Sequence, residues 1–193
     1  MRAALDFAHN LITLSEREIE PDYLTRLQLQ KLLYYVQGWS LALRQRVAFP
    51  EAIEAWRHGP VVAEVWQHFK NRGDGALRAC GANASEELDE NDRFFTRAVW
   101  EAYKGYSPLG LRAKTHAEAP WREARGNLPD DAPSSSVISI DSLRAYFNQL
   151  RDDDRECHFV GMPDWHGATD TALARVVQQS FIKHSQLLRH LAQ

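Results

Sequence analysis

Thr25–Leu43 reads TRLQLQKLLYYVQGWSLAL, and the segment Ala55–Val62 downstream of it reads AWRHGPVV. Thr25 with Gln28 has the form of a capping box, in which the threonine hydroxyl accepts from the third helical N–H while the glutamine reaches back to the cap. Leu29, Leu32, Leu33, Val36 and Leu43 then recur at helical spacing. Leu27, Tyr34, Tyr35, Trp39 and Leu41 place apolar or aromatic bulk on the remaining faces. A helix of this kind would expose large apolar groups whichever side faced water, so its place is the middle of a domain. The stretch predicts a mainly α fold: a compact helical domain around a buried central helix.

The polar exceptions on that helix are Gln30, Lys31 and Gln37. Gln30 and Gln37, seven apart, share one face, with Lys31 beside them and Tyr34 one turn on. Two structural readings apply, a small solvated window or an internally satisfied cluster that fixes packing register. The functional reading is a polar floor beneath a partner-binding groove.

Working outward, Ala3 to Ser15 carries Leu5, Ala8, Leu11 and Ile12 at helical spacing and predicts a first amphipathic helix. The central helix should stop near Arg44, and residues 47–57 are the one place where a small short-stranded β element is expected. Gly59-Pro60 then reads as a helix start, because proline is favoured at the first helical position. Val61, Val65, Trp66 and Phe69 are its inward candidates, and Lys70, Arg72 and Gly73 its close. Asn71 to Asn83 reads as a loop, and Ser85-Glu86-Glu87 as the start of a long helix ending at Gly105. Ser107-Pro108 opens a short helix to Thr115, Pro120 another to Arg125 before Gly126, and Asp141 to Leu150 a further one. Residues 1–150 thus read as one helical domain. Residues 151–193 read as a charged connector and a C-terminal amphipathic helix whose stripe includes Leu173, Val177, Phe181, His184 and Leu188. That stripe is expected to fold back on the same domain; the alternative is docking on a second chain.

With a formal charge of -3 and a pI near 6.2, the chain has no global field to attract a polyanion, which argues against nucleic-acid or anionic-membrane binding. Asp6, His9 and Asn10 interrupt the amino-terminal apolar run, which excludes a signal peptide, and no stretch approaches the roughly 18 apolar residues of a membrane span. The expected location is the cytoplasm. Cys80 and Cys157, the only cysteines, are too few and too far apart for a disulfide framework or a zinc ribbon, and read as reduced thiols.

No nucleotide-binding glycine loop, Gly-x-Ser-x-Gly, His-Glu-x-x-His or Cys-x-x-Cys occurs. The residual chemistry lies in His58, within Trp56-Arg57-His58-Gly59-Pro60, and in Thr115-His116-Ala117-Glu118-Ala119-Pro120-Trp121. His116 and Glu118 could ligate zinc or manganese if His58 or His166 joined them, giving a metal-dependent hydrolase. The competing reading has them bonding exposed backbone at helix ends, and the absence of a fixed ligand spacing favours it. No metal, cofactor or catalytic residue is therefore assigned.

Taken together, Leu27–Trp39, Glu54–Val62, Val99-Trp100, Thr115–Trp121 and Tyr146-Phe147 closely resemble the Panacea domain, with separated motifs in the same order over roughly Leu5 to Leu150. The resemblance implies a mostly helical antitoxin of a toxin–antitoxin system, of the prophage-associated and SocA-like kind, which neutralises a cognate protein toxin encoded by an adjacent gene through direct contact. SocA-type members are proteolytic adaptors, so the alternative is delivery of a toxin to a cellular protease. The family-motif and toxin-contact candidates are Gln30, Lys31, Tyr34, Gln37, Trp39, Trp56, His58, Gly59, Pro60, Thr115, His116, Glu118, Pro120 and Trp121. The tail after Arg151 lies outside the resemblance, which makes its amphipathic stripe the candidate for discriminating between toxins. The oligomeric state is left open.

Overall fold

A computed structural model describes residues 2–18, 23–72, 75–78 and 88–153 of the protein. The elements are α1 (Ala4–Glu16), α2 (Arg26–Arg44), β1 (Ile53–Trp56), β2 (Gly59–Val62), α3 (Ala63–Phe69), a 3-10 turn (Lys70–Arg72), α4 (Glu90–Tyr103), α5 (Pro108–Ala117), α6 (Ala119–Arg125) and α7 (Ile140–Asp152). The described residues are mainly α with one two-stranded sheet, the class the sequence predicts.

Helix α2 is the centre. Its capping box forms as expected, Gln28 N–H donating to Thr25 Oγ1 at 3.2 Å and Thr25 N–H to Gln28 Oε1 at 3.0 Å. Every residue from Gln28 to Ala42 is buried, and α1, α3, α4, α5, α7 and β2 all pack on it. Gln45 ends the helix in the left-handed region at φ 55, a conformation an unbranched side chain tolerates at modest cost. Arg44 and Arg46 both reach Asp92 Oδ1, at 2.5 and 2.9 Å, and tie this end to α4. Burial of both partners makes the Arg44 pair one that would be costly to break from one side.

The aromatic side chains form the contact layer between α2, α4 and α7. Tyr35 stacks on Tyr103 with ring centroids 3.8 Å apart, and Trp39 Nε1 donates to the Tyr103 hydroxyl at 2.8 Å. Phe147 of α7 inserts edge-on among Tyr34, Tyr35 and Trp39. It reaches them because Gly38 faces it: a Cβ at that position would lie 2.1 Å from Phe147 Cε2. Gly38 is thus present for close approach of two helices.

The sheet differs from expectation. Residues 47–52 form no strand, and β2 occupies Gly59–Val62, where Gly-Pro suggests a helix start; α3 begins only at Ala63. The antiparallel pair has Trp56 opposite Gly59 and Ala55 opposite Pro60. Gly59 turns the hairpin at φ +99, a region glycine enters without a Cβ penalty. Proline lacks a ladder donor and belongs on an edge strand, and β2 is an edge. The other side of β1 is covered by the segment before α7, with Ala55 N–H donating to Ser136 O and Ile138 N–H to Ile53 O, both at 2.8 Å.

Helix α4 starts at Glu90, capped by the Asp89 side chain accepting from Asp92 N–H at 2.8 Å, and not from Ser85. Leu88, buried just ahead of the cap, anchors the chain there. Ser85 to Glu87, Cys80 and everything after residue 153, including the connector and the C-terminal stripe, lie outside the described residues. Ser107-Pro108, Pro120, Gly126 and the helix after Ser139 take the places expected of them.

Candidate functional site

The motif residues converge on the contact between α2, the hairpin and the α5–α6 corner. Gln30 Oε1 accepts from Val62 N–H at 2.8 Å, and Lys31 Nζ donates to Pro60 O at 2.9 Å. These two side chains therefore cover the free edge of β2, doing for it what a third strand would do. One helical face along, Gln37 accepts from Ala48 N–H at 2.8 Å and donates to Phe49 O at 3.0 Å, satisfying the irregular segment before β1. All three side chains are buried, so they form an internally bonded cluster and not a solvated window.

Lys31 is fully enclosed, and its ammonium meets a carbonyl and no carboxylate among the described residues. Burial, with Arg112 repelling it, holds its pKa well below the ordinary lysine value. It fits because Gly59 has no side chain; a Cβ there would stand 2.6 Å from Lys31 Cε and 3.0 Å from Thr115 Oγ1. Thr115 turns its hydroxyl back to Leu111 O and Arg112 O within α5.

At the corner between α5 and α6, Glu118 is buried and Tyr35 donates its hydroxyl to Oε1 at 2.9 Å. Burial first, and then the carboxylate, push the Tyr34 and Tyr35 hydroxyls well above the ordinary tyrosine value, so both stay protonated donors. Trp121 is held by its Nε1 on Trp56 O at 2.9 Å, and the His116 ring stacks on it at 3.9 Å. Pro120 is buried beside it, while Trp56 is half-buried with its own Nε1 on Glu54 Oε2. His58 is exposed at the hairpin turn, where its Nε2 accepts from the Arg57 guanidinium at 3.0–3.2 Å.

The geometry does not assemble His58, His116 and Glu118 as ligands: one is at the turn with Arg57, one on Trp121 and one on Tyr35. Among the described residues no three His, Cys, Asp or Glu side chains are placed to hold a metal ion. His166 and the stripe residues Leu173, Val177, Phe181, His184 and Leu188 lie outside them.

Arg125 is a structural key that the residue pattern does not single out. It is buried, donates to Ala55 O at 3.2 Å and to the Pro129 and Ala132 carbonyls at 2.6 and 2.8 Å, and so pins β1 and the following loop to α6. The available signal, an arginine just before the helix-ending Gly126, is common to exposed helix ends.

Burial and the nearby Arg112, Lys31 and Arg125 lower the pKa of His116 to about 4, with Asp130 acting in the opposite sense. His9 and His58 are lowered too, each by burial first. In the window from 6.5 down to about 4 the unfolded chain binds more protons at His116 than the native one, so this contribution to stability is present above 6.5 and is lost as pH falls. The melting temperature should decline across that window, and His116→Gln should flatten part of the decline; an unchanged slope would show that His116 protonates freely in the native state.

Such a site defines a class: a mainly α domain in which a buried helix uses polar side chains to hold a β-hairpin against an acidic, tryptophan-bearing helix corner. Residues 29–122 match the family model described as antitoxin SocA-like, Panacea domain. The match runs from the first turns of α2 through the hairpin to Trp121 and Arg122, and so contains every contact described between α2, β2 and the α5–α6 corner. No curated protein and no solved structure matches the chain.

Proposed function

We propose that the protein is an antitoxin that binds a cognate protein toxin encoded by an adjacent gene and blocks it by direct contact, without catalysis. The observation that supports this reading is the match of residues 29–122 to an antitoxin domain family. The motif side chains lend it further support. Gln30, Lys31, Tyr34, Gln37, Trp39, Thr115, Glu118 and Trp121 are consumed in internal contacts, which suits a scaffold better than an active site.

The surface left for a partner is the accessible part of the motif, Trp56, His58 and His116, with Gly59 and Pro60 shaping the turn beneath it. Residues 1–150 act as the scaffold in this proposal. The stripe at Leu173, Val177, Phe181, His184 and Leu188 discriminates between toxins. No helix among the described residues is long and apolar enough to cross a membrane, in keeping with a proposed cytoplasmic site of action.

Co-expression with the adjacent open reading frame tests the reading. Growth arrest by the neighbour alone and its relief by this protein are the expected results. A neighbour that is harmless alone, or that stays toxic in the presence of this protein, overturns it. Toxin abundance in the same cells separates blocking, where it holds steady, from delivery to a cellular protease, where it falls.

A further inference from the structure

Around the hairpin turn the described residues gather several cations, with Asp130 the one carboxylate that acts on His116. Lys31 lies beneath the turn against Gly59, with a single carbonyl partner. Arg112, half-buried on α5, has an enclosed Nε with no acceptor, and His116 has an enclosed Nε2 with no partner. Arg57 and His58 form the exposed rim, and the Arg57 guanidinium donates to an imidazole nitrogen where a carboxylate would be the ordinary acceptor. Arg112 and Lys31 each act electrostatically on both His58 and His116, which places the four groups in one field. No carboxylate is in ion-pair contact with Arg57, Arg112 or Lys31 among the described residues; Asp130 is exposed, and Glu54 is bonded to Trp56.

This arrangement is unusual in a chain of formal charge -3. Enclosed donors that lack acceptors are destabilising, and like charges drawn together add to that. A scaffold needs neither feature to hold its hairpin, since Gln30 and the Lys31–Pro60 bond already do so. We propose that Arg57, His58, Arg112 and His116, over the buried Lys31, form a binding site for an oxyanion, a carboxylate or phosphate group presented from the solvent side of the hairpin turn. The guanidinium of Arg112 supplies charge-assisted donors suited to such a group and Arg57 with His58 the rim, while His116, whose Nε2 is enclosed, adds charge when protonated. Lys31 lies below them without touching solvent. The site does not depend on the partner being a toxin.

The test is a titration of the full-length chain with inorganic phosphate and, separately, with sodium acetate, each against sodium chloride at equal ionic strength, followed through the histidine ring resonances. Phosphate is expected to move the His116 and His58 signals saturably and to raise the His116 midpoint from about 4 toward the ordinary imidazole range. Arg112→Gln, which breaks no side-chain hydrogen bond or ion pair among the described residues, should weaken the response about tenfold, as loss of one charge-assisted contact does. Arg144→Gln, on the salt bridge to Asp141 in α7, should leave it unchanged. Saturation by acetate as well as phosphate points to a protein carboxylate as the natural occupant, and saturation by phosphate alone to a phosphorylated molecule. A response to chloride equal to that of both oxyanions, or one that survives Arg112→Gln undiminished, overturns the proposal.

Discussion

Gln37→Leu is expected to lower stability by on the order of 3 kcal/mol, although it replaces a polar core residue with an apolar one of similar size. The gain from burying a leucine at a buried site is about 1.5–3 kcal/mol. Against it stand the Ala48 N–H, the Phe49 N–H and the Phe49 carbonyl, all served by this one amide at 2.8, 3.4 and 3.0 Å. Each of these backbone groups is buried, and each left without a partner costs roughly 1–3 kcal/mol. The 3.4 Å contact is the weakest, so two strong losses and one partial one decide the sign. Urea unfolding measures the total, and amide exchange at Ala48 and Phe49 localises it: both amides should lose protection before those of α2 do. Wild-type exchange at these two positions together with unchanged stability would mean that the segment before β1 finds other partners.

Gly38→Ala tests the closest approach in the core. In an exposed helix this change stabilises by about 1 kcal/mol, because glycine is the poorer helix former. Here the added Cβ meets three atoms of the Phe147 ring at 2.1–2.4 Å, and that ring is fixed between Tyr34, Tyr35 and Trp39. Overpacking of this kind costs about 3 kcal/mol or more, so the net effect is a loss of roughly 2 kcal/mol, or about 4–8 °C in melting temperature for a chain of this size. Phe147→Leu, destabilising alone through lost aromatic packing, should relieve part of the damage in the double variant, a coupling that separates a local clash from a general loss of helix quality. Gly105→Ala, where a Cβ meets nothing within 4 Å, is the control and should melt no lower than the parent. Equal melting temperatures for Gly38→Ala and the parent would show that α7 can shift off α2 without cost.

Helix α2 was legible because its signals are local. A capping box needs residues three apart, and an apolar pattern on every face states burial without naming a neighbour. The same holds for Ser107-Pro108 and for Pro120 with Gly126, whose boundaries rest on chemistry within one turn; the last helix was read from its apolar spacing over Asp141 to Leu150, and its cap at Ser139 was not. Only half of the hairpin was legible: β1 lies within the expected segment 47–57, and β2 was missed. Gly59-Pro60 is as good a helix start as a strand start by local rules, and the choice falls to Gln30 and Lys31, some thirty positions upstream, which supply the edge bonds that make β2 worth forming. The start of α4 was misplaced for a related reason: Ser85 and Asp89 are both acceptable caps, and burial of Leu88 selects the second.

The candidate site divides in the same way. The motif residues were visible as a set, and their resemblance to an antitoxin domain was carried by their order along the chain. Their roles were not visible, because a lysine, an amide or a carboxylate reads alike from sequence whether it faces water or closes a helix corner. Only packing showed that Lys31 and Glu118 are enclosed, that His116 lies on Trp121, and that Arg57 and Arg112 have no ion-pair partner among the described residues.

The sequence by itself determined the buried central helix, the mainly α class and the domain family, because periodicity, capping and motif order are properties of neighbouring residues. Tertiary structure alone decided that Gly59–Val62 is a strand, that the polar side chains of α2 face inward, and which cations at the hairpin turn have no ion-pair partner among the described residues. Each of these depends on hydrogen-bond partners and charges brought together from distant parts of the chain, and desolvation sets their energies only once the domain has closed around them.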